Sequence, residues 1–308
     1  MVRTRILRLG SVDVQQVEAV PAAVWRPAAA AHADRVDSYV APHLERREAR
    51  IQHPVHDFLF TYYSYRPAQL RRWHPGYGVV LADAPEHATL KGYEQGPHGV
   101  AVSASYVAAQ RPLVEALHRL LVATAGRPGS FGCFGLHEWA MVYRLEEDET
   151  RHASWPLRLG PAGTDAVVEG HRIACTHFDA YRFFTRPAVP LNTLSPGRDD
   201  RAAFEQPACL HAGMDLYKHA FRLSPMVGSD LVADCFELAW DIRVMDMRAA
   251  PYDLADLGLD PIRIETPEGK SDYVAAQRTF ADRGAPLRQR LIEECARLLD
   301  VAGASVAD

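Results

Sequence analysis

Residues 209–248 read CLHAGMDLYKHAFRLSPMVGSDLVADCFELAWDIRVMDMR. Apolar side chains recur in this stretch at three- and four-residue steps, the period of a helix with one buried face. The spacing predicts two long helices, Cys209–Leu223 and Ser229–Arg248, separated by the Ser224–Pro225 break, because proline bars the residue before it from helical geometry. A chain built around such a pair is mostly helical.

Working outward, the downstream sequence predicts a short strand at Pro261–Glu265. A long helix then opens at Thr266-Pro267-Glu268, with Thr as N-cap and Pro at the first helical position. It is expected to reach towards Leu299 with a break at Gly284–Pro286. Upstream, Asp34–Gln52 reads as a helix interrupted by His53–Pro54, followed by helical His56–Tyr65, Val107–Ala125 and Gly135–Leu145. Two small β-hairpins are expected, from Gly78–Asp83 with Gly99–Ser103 and from Leu157–Leu159 with Val167–Ala174. Pro21–Ala31 reads as a linker and Asn192–Gln206 as a loop. The expected organisation is an N-terminal arm (1–33), one helical domain (34–300) with β insertions near 77–104 and 155–175, and a frayed tail (301–308).

Composition bounds the function. The chain has 308 residues, 34 Lys and Arg against 39 Asp and Glu, and 48% apolar residues, enough for a large core. A net charge of −5 lacks the footprint of a dedicated nucleic-acid binder. No apolar run is long enough to span a bilayer, so no membrane partner is expected. Five Cys, an odd number, together with a basic N-terminus lacking an apolar h-region, point to a reducing cytoplasm. Nucleotide loops and the GxSxG nucleophile elbow are absent.

The chemistry gathers in three segments with one vocabulary: Cys133-x3-His137-Glu138, Cys175-x-His177-x-Asp179 and Cys209-x-His211-x3-Asp215, with His219 one turn further. Each sets imidazole beside carboxylate in an aromatic, apolar context. Burying a carboxylate there is costly unless a cation pairs with it, so either a buried Arg network or a metal is required. On a helix His211, Asp215 and His219 share one face. The outer two stand roughly 12 Å apart along the axis, which suits two ions better than one. Helical dimetal proteins collect Glu and His ligands from several helices, and the mixed N/O set suits iron or manganese. The expected ligands are Glu138, His177, Asp179, His211, Asp215 and His219. His137, Asp241 and His56 are supporting or alternative ligands. The competing reading leaves each His–acid pair as a satisfied core pair. The three cysteines read as small buried apolar residues, since no CxxC pair occurs. Gly213, inside a helix, implies close approach by another element or a ligand.

Several of these stretches, namely His53–Tyr63, Arg66–His74, Phe131–Arg144, Thr176–Phe184, His211–Leu223, Asp234–Leu254 and Ile262–Gly269, together resemble an actinomycete family commonly labelled 3-methyladenine DNA glycosylase. That resemblance spans most of residues 36–290 and implies excision of an alkylated base. The nearest counterpart to a glycosylase hairpin is the loop Pro196–Asp200. His211-x3-Asp215 also resembles the last core helix of haem-oxygenase-like dimetal oxidases, among them an azetidine-forming oxidase of polyoxin biosynthesis. There, however, Lys218 stands at the position of the family's final His, and His219 comes one later. This second resemblance implies a haem-oxygenase-like helical bundle holding two Fe ions.

The expected function is therefore an O2-dependent di-iron oxidase or oxygenase in secondary metabolism, such as antibiotic biosynthesis. It would activate a C–H bond of a small molecule, with an amino acid as an expected substrate, and an electron donor would reduce the iron. Arg144, Arg182 and Lys218 are candidates for holding a substrate carboxylate. A DNA glycosylase and a non-catalytic ligand-binding protein are the alternatives.

Overall fold

A computed structural model describes residues 18–63, 65–145 and 155–304. The first 17 residues of the expected arm and the last four of the expected tail lie outside it. The predicted helix pair forms the centre of the molecule: α11 (Leu210–Arg222) and α12 (Ser229–Arg248). Ten residues of α11 are buried, and Asp230 in the first turn and Arg248 in the last turn of α12 match its dipole. Gly213 admits Ile242 of α12, whose Cδ1 would stand 2.7 Å from a Cβ placed there. The implied close approach is thus to a helix.

Around this pair pack α1 (Ala22–Glu48), α2 (Phe58–Thr61), α3 (Pro67–Arg71), α4 (Pro85–Ala88), α5 (Ala104–Ala109) and α6 (Arg111–Ala125). Later in the chain come α7 (Leu136–Ala140), α8 (Gly160–Glu169), α9 (Phe178–Tyr181), α10 (Arg201–Phe204) and α13 (Pro267–Ala304). One hydrophobic cluster reaches from Val36 of α1 to Leu298 of α13. A small antiparallel sheet, ordered β1 (Val80–Leu81), β3 (Gly99–Val102), β2 (Tyr93–Gly96), occupies the first expected insertion. Its hairpin pairs Tyr93 with Val102 and Gly96 with Gly99.

Four expectations about elements are corrected. The 155–175 insertion is not a hairpin: Gly160–Glu169 is helical, because Pro161 sits in the first turn and Thr164, Val167 and Val168 bury one face. The arm 1–33 is not a linker throughout, since α1 begins at Ala22. Trp25 anchors it, donating from Nε1 to Ala82 O at 2.9 Å and stacking on Trp73. Pro261–Glu265 forms no strand: it turns at Ile264–Glu265, and Ile262 N reaches Arg248 O at 2.7 Å. Finally, α13 runs unbroken through Pro286 to Ala304. A proline inside a helix costs about 3 kcal/mol. Here burial of Leu291, Cys295 and Leu298, each contributing about 1.5–3 kcal/mol, outweighs it.

Candidate functional site

Three elements from distant parts of the sequence meet at the buried end of α11. The first is α7, which is entered through a strained turn. Phe134 (φ 48°) and Gly135 (φ 68°) are both left-handed, and a Cβ on Gly135 would stand 3.4 Å from Tyr273. Non-glycine residues adopt this geometry only when the surroundings enforce it. The turn aims His137 inward: its Nε2 lies 3.3 Å from Asp246 Oδ2 on α12, and its ring is 4.5 Å from that of His211, edge to face. One ligand atom from each of His137, His211 and Asp246 lies within 4.8 Å of the others. Metal–ligand bonds of about 2.0–2.2 Å hold two donor atoms at most about 4.4 Å apart, so a bound ion would draw the three atoms slightly together.

Asp246 is fully buried, and its Oδ1 has no hydrogen-bond partner. A buried carboxylate oxygen without a donor is costly, and a cation between the two imidazoles would satisfy it. The residues present therefore fit a metal ion. Burial opposes a charge on His137, but Asp246 outweighs burial and holds that imidazole well above the usual histidine range. A proton and a metal thus compete for the same position. His211 is driven the other way, by burial and by the neighbouring His137.

The expected ligands divide differently from the sequence reading. Glu138 is buried, but Arg243 Nη1 sits 3.0 Å from its Oε1. Asp215 accepts from the Tyr63 hydroxyl at 2.9 Å and from Arg201 Nη2 at 2.7 Å, with Lys218 Nζ at 3.2 Å. Asp179 is held by Lys218 Nζ at 2.9 Å and lies 3.4 Å from Arg182. His177 is fully buried, with Nε2 3.4 Å from Asp215 and 3.5 Å from Glu205. Burial pushes Asp215 up, yet His177 and Lys218 outweigh it and hold the carboxylate ionised far below its ordinary range. All three carboxylates are thus matched to side-chain cations. The structure realises the buried Arg network for these acids, while the orphaned oxygen belongs to Asp246.

His219 is buried in α11, and burial lowers its pKa to about 3. His56 stacks between His53 (4.1 Å) and Trp240 (4.8 Å). Asp241 is on the surface, paired with Arg283 at 2.7 Å. Arg144 is exposed and bound to Glu169 at 2.7 Å. Asp241 and Arg144 therefore stand away from the buried cluster, because solvent-facing partners satisfy them. Asp246 was not among the expected ligands. Its signal was periodic: Cys235, Ala239, Ile242, Asp246 and Ala249 fall on one face, and all five are buried.

Two cavities adjoin the cluster, and His211 lines both. The larger, about 380 Å³, has walls from Phe58, Tyr62, Phe183 and Tyr252, with Glu138, Asp179 and Arg243 as its charged groups. Arg243 lies flat against Phe58, 3.8 Å from the ring centre. The smaller is enclosed and lined by Cys133, Cys175 and Cys209 with His137 and His211. Those cysteines come from the three segments with the shared vocabulary, which therefore converge in space. Burial raises the Cys175 and Cys209 thiols, so they are uncharged packing groups in this form.

No family model matches the chain, and the comparisons with curated proteins and solved structures found no match.

Proposed function

We propose that the protein is a metal-dependent, O2-using oxidoreductase acting on a small molecule. Its centre would be a single ion held by His137, His211 and Asp246. The observation that carries this reading is the meeting of two imidazoles and one under-satisfied buried carboxylate at the wall of an aromatic cavity. Two His and one carboxylate with open positions is the donor set of non-haem iron oxygenases. A bound ferrous ion supplies O2 activation for oxidising a C–H bond, with an electron donor or reducing co-substrate completing the balance. The expected two-ion centre gives way to one in this proposal, because Glu138, Asp179 and Asp215 are already neutralised by Arg243, Lys218 and Arg201. A haem-oxygenase-like bundle belongs to the two-ion form, and the single-ion form does not require it.

The chain's own residues have definable tasks. His211 faces the larger cavity, so a ligand bound there approaches the centre from that side. A cavity of about 380 Å³ suits a small molecule. Phe58, Tyr62, Phe183 and Tyr252 exclude water and bind an apolar or aromatic body, and Arg243 orients an acidic group. Asp179, on the cavity wall, is paired with Lys218 and accommodates a substrate ammonium by exchange of partners, which keeps amino acids within the substrate class.

The test is metal content after loading with ferrous iron without air. About one ion per chain is expected, lost in Asp246→Asn and His137→Ala and retained in Asp215→Asn. Retention in Asp246→Asn would refute the assignment, and loss in Asp215→Asn with about two ions in the parent would restore the two-ion set. The aromatic cavity with two acids also favours a second reading, a DNA glycosylase holding a flipped base. Metal-free protein that binds DNA with a steep salt dependence would select it.

A further inference from the structure

The thiol-lined cavity has no task in the proposed reaction, yet it touches the centre more closely than the larger cavity does. Cys133, Cys175, Cys209, Ala174 and Leu210 line it, together with the imidazoles of His137 and His211. Two of the three residues of the centre thus belong to its wall, whereas the larger cavity meets the centre through His211. Its free space is about 10 Å³, close to what one water-sized molecule needs. The larger cavity, at about 380 Å³, accommodates an organic molecule. The two are therefore graded to reactants of very different size, with His211 shared between them.

Size bars organic substrates from the small cavity and leaves water or a diatomic gas. A buried water needs about two to four polar partners. The wall is poor in them, because its hydrogen-bonding groups are engaged by the protein. The Gln206 carboxamide accepts from Ser130 N at 3.0 Å and Ala208 N at 2.8 Å, and donates to Ser130 O at 3.5 Å. Cys175 Sγ donates to His177 O at 3.6 Å, and the Cys133 thiol is hydrogen-bonded to His137. The Tyr273 hydroxyl is held by the Gly135 backbone. Sulfur surface and the Ala174 and Leu210 side chains make up much of the remainder, and a buried cysteine behaves as a small hydrophobe. Such a wall favours an apolar occupant over water.

We propose that the small cavity holds the dioxygen that reacts at the His137–His211–Asp246 centre while the organic substrate occupies the larger one, an assignment that rests on the O2-using reading of the protein. It adds a separate seat for each reactant. An organic substrate too large for the small cavity leaves the gas in place, so both reactants reach the centre together. Cys175, 3% exposed, contributes wall rather than chemistry, and its volume sets the space left for the gas.

The experiment uses the full chain and two variants of opposite sign: Cys175→Val, which fills the cavity, and Cys175→Ala, which enlarges it. Metal-free protein is first placed under O2 pressure and followed by NMR, since paramagnetic O2 speeds the relaxation of methyl groups that it touches. The Leu210 methyls are expected to relax faster than those of Leu216 and Leu238, which are buried away from this cavity. That excess should persist in Cys175→Ala and vanish in Cys175→Val. Iron-loaded protein is then mixed with O2 in a stopped-flow device, where the bound ferrous ion gives up one electron to the gas. At equal iron content Cys175→Val should slow this oxidation at least about fivefold, because overpacking excludes the gas. Cys175→Ala should match or exceed the parent rate, whereas a merely structural defect would slow both. Ala174→Val fills the same space from another residue and replaces Cys175→Val if that variant takes up no iron. No excess relaxation at Leu210, equal oxidation rates in parent and filled variant, or slowing in the enlarged variant would each overturn the proposal. Parent protein without iron would overturn the metal reading and this assignment with it, while normal iron uptake with equal rates removes the O2 seat alone.

Discussion

Arg243 shows how a single buried side chain organises the site. It is 2% exposed, pairs with Glu138 at 3.0 Å and stacks on Phe58. Removing one partner of a buried pair strands the other charge and typically costs about 3–5 kcal/mol. Arg243→Met should therefore lower stability by about that amount in urea unfolding. Adding Glu138→Gln should recover part of the loss, since the amide needs no counter-charge. Additive losses in the double variant would show that the two residues act independently. Glu138 and His137 were both legible as chemistry-bearing residues, because an adjacent His and acid in an apolar segment is conspicuous. Their roles were not. Which of the two faces a cation depends on Arg243 and Asp246, more than a hundred residues away.

At the scale of elements, local signals located the two central helices well. The α12 bounds match the reading of 229–248 to the residue, and α11 differs by one residue at each end. The start of α13 was also local. Gly269 N donates to Thr266 Oγ1 at 3.0 Å, the capping bond that the Thr-Pro-Glu sequence implies. Thr266→Ala should cost about 1 kcal/mol in global unfolding, while Thr266→Ser keeps most of it; equal effects of the two would remove the cap from the account. Gly269→Ala is a harsher change, because a Cβ there would collide with the Arg263 backbone. Where local signals misled, packing had overruled them. Pro286 was read as a stop, and Gly160–Gly163 as a turn. In both places a buried face on the same helix repays the unfavourable residue.

For the whole molecule, pH exposes how burial and pairing are distributed. His74 lies against Tyr93, and burial lowers its pKa to about 3 from 6.5, with His87 and Arg72 adding to the effect. The unfolded chain binds this proton near 6.5 and the folded chain does not until about 3. Stability from this group is therefore complete above 6.5 and declines as pH falls through that window, by at most about 1.4 kcal/mol per pH unit. Asp57 and Glu265 behave differently. Burial raises each, but Arg46 and Arg158 outweigh it and leave both carboxyls below their ordinary values. Their contribution persists until pH falls below the ordinary carboxylate range. Urea midpoints measured from pH 7 to 4 should thus fall steadily in the parent and less steeply in His74→Gln; identical slopes would contradict a buried neutral His74.

The sequence by itself determined that the chain is mostly helical, where its central helices lie, and that three Cys–His–acid segments carry its polar chemistry. Those properties follow from periodicity and from neighbours a few residues apart. Tertiary structure alone decided that the three segments meet, that Asp179 and Asp215 are tied to Lys218 and Arg201, and that Asp246 joins His137 and His211 in one cluster. It alone left Arg288 buried with its Nε and Nη2 unpartnered. The physical reason is the same in each case. The cost of a buried charge is set by which partner the fold brings within about 3 Å, and partners from distant segments leave no mark in the spacing of residues along the chain.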